Sequence, residues 1–491
     1  MTLRGALIGL FFILLGIAAL RDVVRIGNDL PWRVMYDFQD FYCAGAALDE
    51  ARNPYTYEPL RTCEHRVDAR PSVQANPSLA IPAPQPPYDF PIFMALAKLR
   101  FADARGIYAA AIVIAVLLSA IVLWRLEIPL DVALLSLALA PGYQELAAGQ
   151  IVPFVLLTLV LAGWMLAQRR DILCGIFAGL TALEPHLGAG VALSVLFFVP
   201  RARWSLIATC VSLTVVGVVA TGPRVFATYL VHVLPAQAWA EVAFPPQYSL
   251  TYVLHAIGIS DSPALALGTL SFGLFLIAGL AMAPRLSDHL RRRELLVFFP
   301  AATAIMAGAY VHVIELAFAV PAALVFARFA HGLRRSVCVA AVSLLTVPWI
   351  AAWGVKKLFL ASVFVCAALL YRLRAAAAIG IGTTLLVAAA VYLFELHPPR
   401  LPAPAPLPAT AYAPWALVQV EWRVLVQQLD THDLRWFAIK IPGWCALTAI
   451  FITGLLEYRA GQGRSGIATQ RGGIDGDALP LSDRIVAQPN V

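Results

Sequence analysis

The chain has 491 residues, 60% of them hydrophobic and only 13% charged, with a mean hydropathy of +0.77. Soluble globular proteins carry about 25% charged residues, so this composition excludes an ordinary soluble enzyme and points to one polytopic membrane domain. The net charge of +7 comes largely from arginines beside apolar runs. That pattern reports membrane topology, and nucleic acid is not an expected partner.

The first apolar run, 3–20, has the length of a membrane span. It resembles a signal-peptide core, but no small-residue cleavage pattern follows, so it is expected to be retained. Further apolar segments lie at about 106–124, 128–146, 151–167, 172–185, 187–199, 204–221, 262–283, 295–309, 313–327, 336–351, 358–371, 375–394 and 441–457. With the first they make fourteen candidates. The 172–199 region also reads as one broken or re-entrant unit, which gives 12–14 spans. The expected fold class is an all-α polytopic membrane protein with a large first loop.

Basic residues alternate between the connections. With Arg4 in the cytoplasm, the cytoplasmic turns carry Arg125, Arg169, Arg170, Arg201, Arg203, Arg285, Arg291 to Arg293, Arg328, Arg334, Arg335, Arg372 and Arg374. The opposite short turns are nearly free of them, except for Lys356 and Lys357. Excess Lys and Arg marks the cytoplasmic side, so both termini are expected there. The loops 21–105, 222–261 and 395–440 then face outside. Residues 1–458 form the expected membrane domain. The polar stretch 459–491 has no apolar period and is expected to be a disordered cytoplasmic tail.

The outside loops hold most of the polar chemistry. The first opens with Tyr36-Asp37-Phe38-Gln39-Asp40-Phe41-Tyr42, two carboxylates three positions apart among aromatics. On a helix, positions i and i+3 share a face, so both could line one pocket and take a proton from an acceptor hydroxyl. The alternative is a solvated loop. Cys43 and Cys63 share this loop and can pair if it lies outside the cytoplasm. The other five cysteines sit in or beside apolar runs, and no metal-ligand spacing occurs. Pro77 to Pro91 cannot be a continuous helix. Within it, Pro86-Pro87-Tyr88-Asp89-Phe90-Pro91 precedes the second span and reads as structural more than catalytic.

Gly149-Gln150 closes an outside turn, and a polar side chain entering the bilayer needs a partner. Glu184-Pro185-His186 breaks an apolar run; the two ionisable groups either satisfy each other or contact a ligand. Segment 223–239 reads as an amphipathic helix in the interface. Tyr310, His312 and Glu315 interrupt another apolar stretch, and His312 is a candidate phosphate contact because imidazole changes charge near neutral pH. Lys356 and Lys357 are candidates for a lipid phosphate or for headgroup anchoring. The proline-rich spacer 398–414 is expected to be extended. Segment 415–437 follows with apolar residues at helical spacing.

Taken together and in order, these pieces resemble glycosyltransferase family 87, membrane enzymes of the GT-C fold class. The family's first-loop pattern is matched by Asp37-Phe38-Gln39-Asp40-Phe41-Tyr42-Cys43-Ala44-Gly45. Asn53-Pro54-Tyr55, Tyr88-Asp89-Phe90-Pro91, Gly149-Gln150 and Gln247-Tyr248-Ser249-Leu250 follow. One departure stands out: Glu184-Pro185 occupies the place where the family often has Lys-Pro, so a phosphate contact by that lysine does not carry over. The resemblance covers most of residues 1–330. It implies an inverting transferase that takes a sugar, mannose in the first instance, from a polyprenyl phosphate on the outer face of a bacterial cytoplasmic membrane. No cofactor and no metal is implied; the partners are membrane lipids, the lipid-phosphate sugar and a lipid or glycan acceptor. The match assigns the base to Asp37, with Asp40 secondary. Tyr42, Tyr88, Gln150, His186, His312, Lys356 and Lys357 are the candidate substrate and phosphate contacts. Two rivals remain. A lipid-linked glycan ligase or polymerase would use outer-loop arginines such as Arg400, Arg423 and Arg435. A lipid or sugar transporter would place ionisable groups at mid-span.

Overall fold

The computed structural model describes residues 35–67, 79–354, 356–371, 377–394, 415–428 and 435–471. Among these residues the chain is helical with no strand; its extended pairings are two isolated bridges. A lipid-embedded backbone must satisfy its own hydrogen bonds, which is what helices do. Four helices among the described residues are long and apolar enough to cross a membrane: Phe101–Arg125, Pro200–Thr221, Asp261–Leu290 and Trp436–Gly461. The first expected span and the 398–414 spacer lie outside the described residues, as does the chain after Arg471.

The other apolar segments also form helices, but shorter or broken ones. The 172–199 region divides at Glu184, with Asp171–Leu180 and a short 3-10 turn before it and Pro185–Phe198 after it. Pro185 has no N–H to donate and starts a helix well. Segment 128–146 is interrupted by a π turn at Ala138–Gly142, which contains Pro141. The last helix runs from Ile441 to Arg471, through the first part of the stretch expected to be a tail. Loss of apolar period at Tyr458 removes a reason to pack but no backbone hydrogen bond, and no proline follows to stop the helix.

All ten residues of Leu295–Ala304 are buried, so this helix is the axis of the bundle. Gly190 lets Pro185–Phe198 approach it, since a Cβ there would stand 2.7 Å from the Pro300 carbonyl oxygen.

Over one end of the bundle the loops form a cap. The first loop contributes the helices Tyr36–Asp49, Tyr57–Val67 and Phe90–Ala97, and residues 79–86 between them are not helical. Cys43 and Cys63 form a disulfide that ties the first two helices together. Phe38, Tyr42, Phe93, Phe101 and Tyr108 pack their rings beneath. The two bridges then join loops that are far apart in sequence. Thr56 pairs with Leu417, which brings in the helix Val418–Gln427. Gln247 pairs with His312, which links the 222–261 loop to the turn after the axial helix. The stretch from Pro223 to Ala240 is helical, as its pattern suggested, with a π turn at Tyr229–Val233. It buries Tyr229, Val233, Gln237 and Ala240 on one side and exposes Leu230, Val231 and Leu234.

Candidate functional site

Beneath the cap lies a cavity of about 470 Å³. That is within the range of small-molecule sites, roughly 300–1,000 Å³. Asp37, Gln150, Glu241, Tyr310, His312 and Trp422 give it a polar side, and Phe41, Ile81, Pro84, Phe244, Ile314 and Ile350 an apolar one.

Asp37 stands in the first turn of Tyr36–Asp49. Its Oδ2 accepts a hydrogen bond from Gln150 Nε2 at 2.6 Å. The partner is delivered by Gly149, which ends the helix Tyr143–Ala148 with φ at 77°. Only glycine adopts that conformation without cost. The same residue lets the two segments meet, since a Cβ on Gly149 would lie 2.7 Å from Phe38 Cβ and 3.1 Å from Met35 Cβ. The sequence pair Gly149-Gln150 is thus a device for holding one carboxylate.

The opposite wall is built by Gln247-Tyr248-Ser249-Leu250. The Tyr248 N–H donates to the Val311 carbonyl at 2.6 Å, and the Val311 N–H donates to Gln247 Oε1 at 2.9 Å. Ser249 Oγ accepts from the Tyr252 N–H and caps the next helix. This lacing presents His312 to the cavity, with its N–H donating to Glu315 Oε2 at 3.1 Å. His312 Nε2 lies 3.4 Å from Glu241 Oε2. Burial pushes the imidazole toward neutrality, but the bond and charge of Glu241, with Glu315 and Asp37 adding to it, outweigh that and push its pKa up to about 9. The cavity therefore carries a cation at neutral pH, and it lines the same space as Asp37.

Glu241 is the residue that motif reading missed. It is 4% exposed. Its oxygens accept from Trp422 Nε1 at 2.6 Å, Gln237 Nε2 at 3.2 Å and Gln247 Nε2 at 3.3 Å, besides facing His312. A signal did exist: it is the only acidic residue between Pro185 and Ser260. Trp422 had none, because it reaches the cavity through the Thr56–Leu417 bridge.

Asp40 does not share the pocket. It is 1% exposed and absent from the cavity lining. Its helix buries an unbroken run from Phe38 to Gly45, and of the two carboxylates only Asp37, in the first turn, reaches the cavity. Tyr42 donates to the Leu99 carbonyl at 2.8 Å and is a strut of the aromatic layer. Tyr88 donates to the Ala182 carbonyl at 2.6 Å, also away from the cavity. Asp89 is buried beside it, and burial, with Glu184 adding its charge, pushes its pKa well above the usual carboxylate range. His186 lies 3.2 Å from Glu315 and 3.7 Å from Glu184, behind the cavity wall. Both neighbours claim it, and it connects to His312 through Glu315 and through the ring of Tyr310.

Arg423 is 2% exposed, bonded to Asp261 and set against the ring of Trp239. It stands outside the cavity, which removes one arginine from the ligase reading. The side chains of Lys356, Lys357 and Arg435, and all of Arg400, lie outside the described residues. Among the described residues, no group of three or more His, Cys, Asp or Glu is arranged to hold a metal ion.

Residues 85–307 match the family model of glycosyltransferase family 87. The matched stretch holds Tyr88-Asp89-Phe90-Pro91, Gly149-Gln150, Glu241 and Gln247-Tyr248-Ser249-Leu250. It does not reach Asp37 or His312. No curated protein and no solved structure matches the chain. The family match supports a membrane glycosyltransferase.

Proposed function

We propose that this family 87 glycosyltransferase moves a sugar from a polyprenyl phosphate, mannose being the expected sugar, to a hydroxyl of a lipid or glycan acceptor. In this reading the reaction takes place on the outer face of a bacterial cytoplasmic membrane. The observation that carries it is the pairing, on one cavity, of Asp37 held by Gln150 with His312 charged by Glu241.

Asp37 removes the acceptor hydroxyl proton as the oxygen attacks the anomeric carbon. The bond from that carbon to the phosphate oxygen breaks, and the phosphate leaves with the electron pair. The imidazolium of His312 stabilises the charge that builds on it, an interaction worth most where water is excluded. A single displacement inverts the anomeric centre and needs base and leaving group on opposite sides of the sugar. Gln150 fixes the orientation of the Asp37 carboxylate on the cavity wall. The apolar wall suits a substrate whose phosphate is attached to a prenyl chain.

The test is sugar transfer in membranes or nanodiscs from a labelled polyprenyl-phosphate mannose. Loss of a general base typically costs 10²–10⁴-fold, so Asp37→Asn should lower the rate by at least about 100-fold while donor binding survives. Asp40→Asn, being a change in packing, should act on stability more than on rate. Wild-type transfer by Asp37→Asn would place the base elsewhere.

A further inference from the structure

The end of the bundle away from the cavity holds a second cleft, of about 590 Å³, lined by Arg169, Phe198, Ser287, Asp288, Arg291 and Arg293 among others. Three helices fix its position. Val152–Ala167 starts beside Gln150 and ends beside Arg169; its 16 residues span about 24 Å at 1.5 Å each. Pro185–Phe198 starts at the cavity wall with His186 and ends at Phe198. Asp261–Leu290 starts at the partner of Arg423 and ends at Arg291.

We propose that this cleft binds the phosphate of an anionic membrane lipid. The first support is charge. Arg293 is partly committed, donating to the Leu166 carbonyl at 3.1 Å and facing Asp171 at 3.4 Å. Arg169 and Arg291 have no ion pair among the described residues, and Asp288 is the one carboxylate on the lining. Three guanidinium groups against Asp288 and the Asp171 that Arg293 faces still leave the cleft one anion short, and guanidinium matches phosphate oxygens in pairs.

The second support is backbone conformation. Arg169 and Arg291 both adopt left-handed φ, at 57° and 55°. Each follows the end of a helix, where glycine is the unstrained choice. Arginine stands at both positions despite the strain, and both side chains line one cleft.

The third support is apolar. Phe197 beside the cleft is 54% exposed and Trp204 is 80% exposed. Aromatic side chains at such a boundary mark the headgroup level of a bilayer. They favour a phosphate carried on acyl chains over free phosphate.

The test uses the full chain in nanodiscs with labelled phosphatidylglycerol, phosphatidylcholine as the neutral control, and inorganic phosphate as competitor. Wild type should retain phosphatidylglycerol preferentially. Each basic residue near an anionic surface is worth roughly a fivefold preference. The double variant Arg169→Gly/Arg291→Gly should therefore lose roughly 25-fold. Glycine suits left-handed φ, so this variant folds at least as readily, and its sugar transfer should be unchanged. An undiminished preference in the variant would overturn the proposal, as would equal retention of the two lipids by wild type. Displacement of phosphatidylglycerol by millimolar inorganic phosphate would overturn the lipid as the source and give the cleft to free phosphate.

Discussion

The sharpest test of the site is a single methyl group at Gly149. Gly149→Ala has two separable costs. An L-residue in the left-handed region costs about 1–2 kcal/mol. The new Cβ would also stand 2.7 Å from Phe38 Cβ. Phe38 cannot retreat, because its ring is packed against Phe101 and Tyr108 and the residue is fully buried. Overpacking of that kind costs about 1–3 kcal/mol, so the total is about 2–5 kcal/mol. The strain is relieved most directly by parting the Gly149-Gln150 turn from the Tyr36–Asp49 helix, which opens the 2.6 Å bond between Gln150 and Asp37. A misplacement near 1 Å costs about 100-fold in rate. The assay is single-turnover sugar transfer in nanodiscs beside thermal unfolding of the same samples. Gly332→Ala is the control, since Gly332 has φ at 57° and open space where the Cβ would go. It should lose about 1–2 kcal/mol and keep its rate. If Gly149→Ala transfers sugar within twofold of wild type, the Gln150–Asp37 contact does not position the base.

Glu241→Gln removes the main group that keeps His312 charged. The wild-type rate should fall as pH rises through about 9, and in the variant the fall should move toward lower pH; an unmoved profile would exclude His312 as the working cation. The same shift has a stability sign. A histidine whose folded pKa lies above its unfolded value contributes fully below about pH 6.5 and loses that contribution as pH approaches 9. Wild-type Tm should therefore decline over that interval, and His312→Gln should flatten the decline. Cys43→Ser/Cys63→Ser opens the disulfide across a separation of 20 residues and should cost about 3 kcal/mol by the loop-entropy relation, read as a lower Tm. Tyr42→Phe removes the bond to the Leu99 carbonyl and should cost about 1 kcal/mol with little change in donor KM, whereas a large rise in KM would return Tyr42 to the substrate.

The parts of this site that were legible in the sequence are those whose chemistry is local. Gly149-Gln150 reads as a turn with a buried polar residue because both requirements, a positive φ and a polar partner, fall on adjacent positions. The break at Glu184-Pro185 reads the same way, since proline acts on its own backbone. Segment 223–239 showed its amphipathic period, and the structure keeps it helical. The candidates that lie outside the cavity are those whose partner or packing lies far away in sequence. Tyr42 and Tyr88 look like substrate contacts in an aromatic motif, yet each donates to a carbonyl more than 50 residues distant. Asp40 has the right spacing from Asp37, but spacing says which residues share a helix face and not what that face meets. Trp422 enters the cavity only because Thr56 pairs with Leu417.

The two bridges also account for why the order of motifs along the chain carried more information than any one of them. Asp37 belongs to the first of the long loops, Glu241 to the second, and His312 to a turn between apolar segments. None of these pieces can bury enough surface to hold its shape alone. The Gln247–His312 bridge makes the second loop and the turn one wall. Thr56–Leu417 fastens the third loop to the first, and Glu241, which accepts from Trp422 and faces His312, joins both halves. A carboxylate tied to two donors of its own loop and one from the third is costly to leave half-satisfied, so the wall forms as a unit or not at all. Trp422→Phe is then a test of assembly as much as of contact: losing the 2.6 Å donor should weaken the grip of Glu241 on its remaining partners and displace His312 from a distance of one residue. The readout is the pH profile of sugar transfer, which should move in the same direction as in Glu241→Gln by a smaller amount. A profile identical to wild type would mean that Glu241 and His312 pair without the third loop, and that the cap is not a single cooperative element.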